Sequence, residues 1–385
     1  MQKASALVPL WNRAAEWQRR LAMINEARAF LHLSTFYIEH DAYGTEILAA
    51  LQRAQRRGVA VSLLVDAFGQ RLGGVLMSPA QRAAANRELT DLRAEGATVT
   101  VYAPAHQVQR LLGGGQHVKI QVSEAGEAIV GSSNLTKTSF EQWNEYAVAV
   151  RGPIVATLLE SLRDFGGTVP HAHLATLADV ARADPAPADL ALDYWYCNPN
   201  LTQDWMGPFG WCGDNAVTTR MIAMLDGAQT SARITSFYFK PVAPLLDAVL
   251  RAASRGVLVE VFHSHRDALP ATDLAWIAAA ASYPRLLEAG VRIYEHRRGE
   301  HSKIVLIDDA WAAFGSYNFE DAAHDRLGEL MLESRDPRAV APLRAIFDEL
   351  CRDSHNVLVT RESFRELPPR VAARVAQYGR FKWWM

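Results

Sequence analysis

Residues 299–321 read GEHSKIVLIDDAWAAFGSYNFED, which places charged side chains at the start of a strand that otherwise looks buried. His301 and Lys303 precede the apolar run 304–307, and the small polar cluster 315–318 follows it. Because successive strand side chains point to opposite faces, the imidazole and the ammonium lie on the same face. One such pair is often only an exposed strand end, so its meaning depends on whether the chain repeats it.

Two long segments of the chain share one arrangement of elements. Residues 33–66 and 234–264 each contain an apolar strand, a turn, an amphipathic helix that ends in Arg-Gly-Val, and a second apolar strand. Continuous apolar strands separated by helices favour a covered, mostly parallel sheet. We therefore predict an α/β fold of two similar halves, each a mixed, mostly parallel sheet flanked by helices, related by a pseudo-twofold axis.

The repeat extends through the motif itself. GGQHVKIQVSEAGEAIVGSSN (114–134) aligns with RGEHSKIVLIDDAWAAFGSYN (298–318) at a constant offset of 184 residues. The predicted segments are a first half (1–168) with its motif at 117–134, a connector (169–190) with one or two helical turns, a second half (191–362) with its motif at 301–318, and a basic, aromatic tail (363–385). The insertion 69–91 in the first half is expected to be a loop that shapes an entrance near the strand ends.

Composition bounds the class of protein. The chain has 385 residues, of which 49% are hydrophobic and 21% charged, with a formal net charge of −2. Proteins that bind nucleic acid usually carry a basic excess, so a nucleic-acid partner is disfavoured. The three cysteines lack metal-like spacing, which favours a reducing compartment. We expect neither a signal peptide nor a membrane-spanning helix, because no sufficiently long apolar stretch occurs.

Each copy of the motif supplies His-x-Lys, then Gly-Ser-x-Asn, then a glutamate. The first copy contains His117, Lys119, Asn134 and Glu145, and the second contains His301, Lys303, Asn318 and Glu329. Two facing histidines can act as nucleophile and general acid, since imidazole titrates near neutral pH. Lysines and asparagines can hold phosphate oxygens, and each glutamate can fix a histidine tautomer. This set is complete for attack on phosphorus without a metal or another cofactor.

The duplicated pattern resembles the signature of the phospholipase D superfamily, which is His-x-Lys-x4-Asp followed by Gly-Ser/Gly-x-Asn, present twice. HSKIVLID (301–308) fits fully, whereas HVKIQVSE (117–124) has Glu124 where the superfamily has Asp. The resemblance covers nearly the whole chain and is greatest to bacterial cardiolipin synthases, on stretches such as FYIEHDAYGTEILAALQRAQRRGV and RIYEHRRGEHSKIVLIDD. The first copy's Gly-Ser-Ser-Asn departs from the Gly-Gly-x-Asn of many cardiolipin synthases.

The resemblance implies a role for each motif residue. His117 would form a phosphohistidine, and His301 would protonate the leaving alcohol and then deprotonate the acceptor; the reverse order of the two histidines stays open. The remaining implied roles are phosphoryl binding by Lys119, Lys303, Asn134 and Asn318, support by Ser132 and Ser316, orientation of the histidines by Glu145 and Glu329, and holding of local turns by Glu124 and Asp308.

The resemblance also implies a reaction. A phosphatidyl group would pass from phosphatidylglycerol to an alcohol-bearing phospholipid, most simply giving cardiolipin, on the cytoplasmic face of the cell membrane with peripheral association. The alternatives are a phospholipase D-type hydrolase, a metal-independent nuclease or phosphodiesterase, and an inactive phospholipid-binding protein. The acceptor, the acyl preference and the oligomeric state stay open, although the internal duplication removes the need for a dimer to complete the site.

Two other features of the sequence allow alternatives. From residue 367 onward the tail has four basic residues, four aromatic residues and no acidic residue, so it is either a membrane-surface helix or a helix docked on the domain. The pairs His171-x-His173 and His263-x-His265 have a spacing that metal ligands can use. Because neither pair has further ligands in a recognisable motif, we expect no metal at either.

Overall fold

The structure is a computed structural model that describes residues 2–201, 214–269 and 272–379. Its strands are β1 Gln2–Ala4, β2 Ala6–Leu10, β3 Phe30–Thr35, β4 Ala60–Asp66, β5 Thr98–Tyr102, β6 Gly115–Gln116, β7 Ile120–Ser123, β8 Glu127–Gly131, β9 Ala147–Arg151, β10 Leu190–Cys197, β11 Ser231–Thr235, β12 Phe239–Lys240, β13 Leu258–Ser264, β14 Arg292–His296, β15 Ile304–Ile307, β16 Trp311–Gly315, β17 Phe319–Glu320, β18 Leu327–Ser334 and β19 Asn356–Val359.

Its helices are α1 Arg13–Glu26, α2 Ala42–Arg56, α3 Ala67–Leu76, α4 Pro79–Ala94, α5 Gln107–Leu111, α6 Lys137–Glu141, α7 Ile154–Ser161, α8 His171–Ala183, α9 Ala216–Gly227, α10 Ala243–Ser254, α11 Leu274–Ala280, α12 Tyr283–Glu288, α13 Asp321–Asp325, α14 Pro337–Arg352, α15 Arg361–Arg365 and α16 Pro369–Tyr378. Within the described ranges, none of these helices combines the length and the apolar composition that a membrane span requires.

The sheets of the two halves contain equivalent strands. The strand order is β2-β9-β8-β7-β3-β4-β5 in the first half and β1-β10-β18-β16-β15-β11-β13-β14-β19 in the second. Strands β3, β4 and β5 run parallel, as do β11, β13 and β14. The α/β class and the two similar halves are therefore confirmed.

The prediction that most strand pairs are parallel is wrong. Antiparallel pairs outnumber parallel pairs in both sheets of the described chain, because each motif strand continues into a hairpin, β7–β8 or β15–β16. These hairpins are buried on both faces. They therefore read as the continuous apolar runs that usually indicate parallel strands.

The hairpins are buried on both faces because the two sheets share a core. Ala128 and Val130 of β8 pack into the same apolar cluster as Ala312 and Phe314 of β16, while Ile129 between them points to the first half's helices. Strand alternation thus sends one set of side chains to the core between the sheets and the other set to the helices. Helices α7 and α14 close the shared core.

Helix α2 begins at a side-chain cap, and both α2 and α10 are followed by a glycine with a positive φ. Asp41 accepts hydrogen bonds from the backbone N–H groups of Tyr43 and Gly44, both at 2.9 Å, at the start of α2. Gly58 follows α2 with a φ of 88°, and Gly256 follows α10 with a φ of 86°. This left-handed conformation suits glycine and explains the repeated Arg-Gly-Val.

The insertion 69–91 is helical, so the prediction of a loop is wrong. Asp66 caps α3 by accepting from the Gly69 N–H at 2.8 Å. Ser78 and Gln81 form a capping box at the start of α4, directly before Pro79. The Ser-Pro-x-Gln sequence was the available signal for the second of these helices.

The connector contains more helix than the predicted one or two turns. Helix α8 has 13 residues, and its Leu177 is buried in the shared core. His173 lies 2.8 Å from the His32 ring nitrogen and stacks on Phe30, which holds the helix against β3. In addition, β1 pairs with β10 in the second sheet although its residues fall within 1–168. The proposed domain boundaries themselves stay a prediction.

Segments that precede each motif cross to the other half. Strand β6 pairs in parallel with the start of β18, and the His117 N–H donates to the Gly328 carbonyl at 2.7 Å. In the matching place, the His301 N–H donates to the Asn144 carbonyl at 2.8 Å. Both motif histidines are thereby placed at the seam between the halves.

Candidate active site

Both motif histidines line one cavity of about 380 Å³ at the seam. His117 and His301 open into it from opposite halves, and Asn134 and Asn318 line it beside them. All four side chains are otherwise buried. The structure thus brings together the two copies of the motif, which the sequence alone did not show.

Each histidine is held by the glutamate of the other half. The Nδ1 atom of His117 lies 3.1 Å from Glu329 Oε1, and the Nδ1 atom of His301 lies 2.8 Å from Glu145 Oε2. This reciprocity is what a twofold relation between the halves requires. The Ser316 carbonyl, 3.1 Å from Nδ1 of His117, and the Glu145 carboxylate at Nδ1 of His301 can only accept, so each fixes the proton on Nδ1 and leaves Nε2 as the atom available to a substrate.

The two motif serines support the glutamates. Ser132 Oγ donates to Glu145 and Ser316 Oγ donates to Glu329, each at 2.5 Å. Each hydroxyl oxygen also accepts a backbone N–H at 3.0 Å, so its direction is fixed. The serines therefore position the acids that position the histidines.

The two motif lysines are buried beside the histidines. Lys119 Nζ donates to the His117 carbonyl at 2.7 Å, and Lys303 Nζ donates to the His301 carbonyl at 2.5 Å. Burial lowers the pKa of Lys119 well below its usual value and that of Lys303 to about 8, although nearby glutamates oppose the shift. An anion in the cavity would favour the charged form of both side chains.

The two motif asparagines differ in their surroundings. Among the described residues, the buried Oδ1 atom of Asn134 has no hydrogen-bond partner. Asn318 instead donates to Glu320 at 3.1 Å and accepts from the Phe237 N–H at 3.3 Å. Since Thr136 occupies the place of Glu320 in the first half, the described residues give the cavity an acidic lining group on the side of the second half only.

Electrostatics keep His117 neutral. Burial lowers its pKa well below the usual value, and the neighbouring ammonium groups of Lys119 and Lys303 lower it further. Burial also lowers the pKa of His301, to about 4, but the Glu145 carboxylate opposes this shift. His301 is thus the histidine whose protonated form the protein stabilises more.

The paired glutamates are also unequal. Burial raises the pKa of Glu329 to about 8 despite the nearby Lys119 ammonium. Burial acts the same way on Glu145, but its contact with His301 lowers the pKa to about 2. A stable Glu145 carboxylate favours a protonated His301.

Aromatic side chains, which were not among the predicted site residues, cover the histidines. The Phe36 ring meets His117 edge-on at 4.8 Å, and the Phe237 ring meets His301 edge-on at 4.6 Å. Their neighbours Tyr37 and Tyr238 line the same cavity. The available signal was the Phe-Tyr pair that follows the first strand of both repeats.

Trp143 has no aromatic counterpart in the other half. Its ring stacks on His301 at 4.8 Å, whereas Leu327 occupies the matching place near His117. Gly299 makes room for this ring, because a Cβ there would lie 2.1 Å from a Trp143 carbon. An indole face favours a cation, so this contact also stabilises a protonated His301.

Glu124 and Asp308 lie away from the cavity and hold equivalent turns. The Asp308 carboxylate accepts from the N–H groups of Gln229, Thr230 and Ser231 at 2.7 to 3.2 Å. Glu124 accepts from the N–H groups of Arg28 at 2.6 Å and Phe30 at 3.3 Å. The longer glutamate therefore reaches the same kind of turn with fewer hydrogen bonds.

The histidine pairs outside the motifs have protein partners. His173 contacts His32, and the His263 ring nitrogen lies 2.7 Å from the Tyr283 hydroxyl, which donates to Glu295. Within the described ranges, no group of three or more His, Cys, Asp or Glu side chains is arranged to hold a metal ion.

The described part of the tail is docked on the second half. Val371 and Val375 of α16 pack against that half's core, and Arg374 forms a two-pronged ion pair with Asp273 at 2.6 and 2.8 Å. These contacts favour the docked alternative for this helix. The cationic and aromatic residues 380–385 lie outside the described residues.

Comparison with known proteins agrees with this geometry. The duplicated fold and paired motifs define an enzyme of the phospholipase D superfamily. Residues 21–164 and 221–351 match the family described as "Cardiolipin synthase, PLD-like domain", and the chain belongs to this family. It is 30% identical to cardiolipin synthase B of Salmonella typhi over 311 residues, which is 77% of this chain and 68% of that protein. It is 26% identical to cardiolipin synthase of Geobacillus kaustophilus over 333 residues, which is 82% of this chain and 60% of that protein.

Two solved structures share the fold. Phosphatidylserine synthase of Haemophilus influenzae matches with a TM-score of 0.74 and 15% identity, over 100% of this chain and 97% of that one. Polyphosphate kinase of Porphyromonas gingivalis matches with a TM-score of 0.57 and 14% identity, over 98% of this chain and 53% of that one. The architecture of two halves therefore extends over nearly the whole of one solved chain that shares the fold.

Proposed function

We propose that this protein transfers a phosphatidyl group from phosphatidylglycerol to an alcohol-bearing phospholipid, with a second phosphatidylglycerol and the product cardiolipin as the simplest case. The observation that carries the proposal is the reciprocal pairing of His117 with Glu329 and His301 with Glu145 on one cavity. Two oriented histidines suit attack on phosphorus and protonation of a leaving oxygen. The cardiolipin synthases to which the chain is similar support the lipid substrate.

In the first step, His117 Nε2 attacks the phosphorus and forms a P–N bond while the P–O bond to glycerol breaks. His301 gives its proton to the departing glycerol oxygen. His117 suits the nucleophile because its neutral form is strongly favoured, and His301 suits the acid because Glu145 and Trp143 both favour its cation. Lys119, Lys303 and the two asparagines hold the phosphoryl oxygens.

In the second step, His301 takes the proton from the hydroxyl of the acceptor. The acceptor oxygen then attacks the phosphorus, and the P–N bond to His117 breaks. This returns both histidines to their starting protonation states, so no cofactor is consumed. Water in place of the acceptor would give phosphatidic acid instead.

The lining of the cavity supports a lipid over a nucleic acid. Its apolar walls include Phe68, Leu72 and Leu76 from one half and Leu269 and Leu274 from the other. A phosphodiester of a nucleic acid would instead favour a cationic groove, and the net charge of −2 offers no general excess. A lipid substrate requires peripheral contact with a membrane, which we propose to be the inner face of the cell membrane.

A product assay tests this proposal. Purified protein is incubated with phosphatidylglycerol vesicles, with and without a chelator, beside the variants His117→Ala and His301→Ala. We expect cardiolipin and free glycerol from the wild type, unaffected by chelator, and at least a thousandfold less product from either variant. Phosphatidic acid alone would make the protein a hydrolase. No turnover of this or another alcohol-bearing lipid would overturn the proposal.

A further inference from the structure

Helix α3 covers the cavity with a face of glycines. A Cβ at Gly69 would lie 2.2 Å from the Phe36 carbonyl oxygen, and one at Gly73 would lie 2.6 Å from the Tyr37 ring. Since Phe36 and Tyr37 line the cavity, the glycines allow the helix to lie directly against its wall. The opposite face of α3 therefore forms part of the outer rim of the cavity.

This outer rim is apolar and exposed. Val75 of α3 has 66% of its surface exposed, and Leu111 of α5 has 82%. Val108 of α5 and Leu72 of α3 are also exposed, although Leu72 reaches into the cavity as well. The two helices are joined by a hydrogen bond of 3.2 Å from Arg71 to the Arg110 carbonyl. Exposed apolar side chains that continue the wall of a cavity mark an interaction surface.

The charged side chains on the segments that form the rim are all basic. Segments 67–87 and 103–115 contain no Asp or Glu. Arg71, Arg82 and Arg110 lie on them, and all three are exposed. Within the described part of the chain, their guanidinium groups donate to backbone carbonyls and form no ion pair with a carboxylate. The rim is thus positive in a chain whose net charge is negative, which matches an anionic surface.

We infer that the rim formed by α3 and α5 is the surface that docks on an anionic bilayer. This inference rests on the proposed function, because it assigns the membrane contact of that same site. Apolar side chains enter the headgroup layer while the three arginines bind lipid phosphates. A lipid then passes from the bilayer to the histidines along the apolar wall, past Leu72 and Leu76. Helix α16 is not this surface, since its apolar face is packed on the second half.

Vesicle binding tests the inference without requiring turnover. The triple variant Val75→Ser, Val108→Ser, Leu111→Ser removes the exposed apolar residues of the rim that do not line the cavity. The matched control Val8→Ser, Val357→Ser, Leu358→Ser removes three exposed apolar residues elsewhere. Binding is measured by co-sedimentation with phosphatidylglycerol–phosphatidylcholine vesicles and with phosphatidylcholine vesicles. Turnover is measured separately on short-chain phosphatidylglycerol in true solution.

We expect the rim variant to bind anionic vesicles at least tenfold more weakly than the wild type while it keeps its turnover of the soluble substrate. The control variant should bind as the wild type does, and neutral vesicles should bind the wild type at least tenfold more weakly. Unchanged binding of the rim variant would overturn the inference, as would loss of binding only on removal of residues 380–385. Failure of the wild type on the soluble substrate would count against the proposed function and leave the binding comparison valid.

Discussion

The two histidines differ most in what covers their rings. Trp143 stacks on His301, whereas Leu327 takes the matching position near His117. The chain is a duplication in which the motif histidine, lysine, asparagine and glutamate recur in both halves, so this difference distinguishes two imidazoles that have the same motif partners. An aromatic face and an unprotonated Glu145 both favour a cation at His301. From these surroundings we propose that His117 is the nucleophile and His301 the general acid, an assignment that the sequence left open.

We predict that Trp143→Leu lowers kcat about tenfold, because losing a desolvated cation–π contact of about 1.4 kcal/mol weakens the general acid. The loss should be large for phosphatidylglycerol and small for a phosphatidyl ester of p-nitrophenol, whose leaving group needs no proton. Trp143→Phe, which keeps a ring, is the control. An equal loss on both substrates would assign Trp143 a purely structural role.

The buried lysines predict an unusual pH profile. Because the pKa of His117 lies well below its ordinary value, kcat/KM on a soluble phosphatidyl ester of p-nitrophenol, whose leaving group needs no proton from His301, should stay level from pH 7 down to pH 5.5. It should fall above a pH of about 8, where Lys303 loses its proton and its hold on the phosphoryl oxygens. In Lys303→Arg the alkaline fall should be absent, since guanidinium stays charged. An alkaline fall that persists in this variant would contradict the assignment.

At the scale of elements, the packing of helix α3 against the cavity wall depends on which of its faces carries glycine. Gly73 packs on the Tyr37 ring, whereas a Cβ at the adjacent Gly74 would meet only the flexible side chain of Arg82, at 3.2 Å. Sequence patterns did not indicate this helix, because a glycine-rich segment favours a loop when its packing partner is unknown. The partner is an aromatic ring from the distant strand β3 and its following turn.

We predict that Gly73→Ala destabilises the protein by about 1–3 kcal/mol and lowers activity, because the methyl group forces α3 away from the cavity wall. Gly74→Ala should leave both unchanged or raise stability slightly, since alanine favours helix. Thermal unfolding and the product assay measure the two effects. Equal behaviour of the two variants would show that α3 does not rest on Tyr37.

The stability that Asp308 gives to its turn should depend on pH. Burial opposes ionisation, but the N–H donors of Ser231, Thr230 and Gln229 lower the pKa of its carboxyl below the usual value. A depressed pKa gives stability that is present above the unfolded value of about 3.9 and is lost as the pH falls through the folded value.

We therefore expect Asp308→Asn to lose about 1 kcal/mol of unfolding free energy at pH 7 and a smaller amount at pH 3, as measured by urea denaturation. Asp309→Asn serves as the control, because its carboxylate faces Arg233 at 3.6 Å. A deficit for Asp308→Asn that is the same at both pH values would refute the role of its charge.

At the scale of the molecule, duplication explains both what the sequence predicted and what it missed. The repeated pattern predicted the α/β class, the two halves and the eight motif residues that meet at the seam, four of which line the cavity. It could not show that Glu329 serves His117 and Glu145 serves His301, because that exchange depends on how the halves pack. The antiparallel hairpins were also missed, since burial on both faces removes the alternation that distinguishes them.

The central claim is that His117 carries the phosphatidyl group, and the most direct test is to trap it. His301→Ala is incubated with a phosphatidyl ester of p-nitrophenol, quenched without acid, digested and analysed by mass spectrometry. Attack by His117 needs no acid here, and the acceptor step lacks its base, so the adduct should accumulate. We predict one phosphatidyl group on the peptide that contains His117, and none when His117→Ala is tested in the same way. An adduct on His301 in the His117→Ala variant, or a burst of p-nitrophenol with no adduct, would contradict the account.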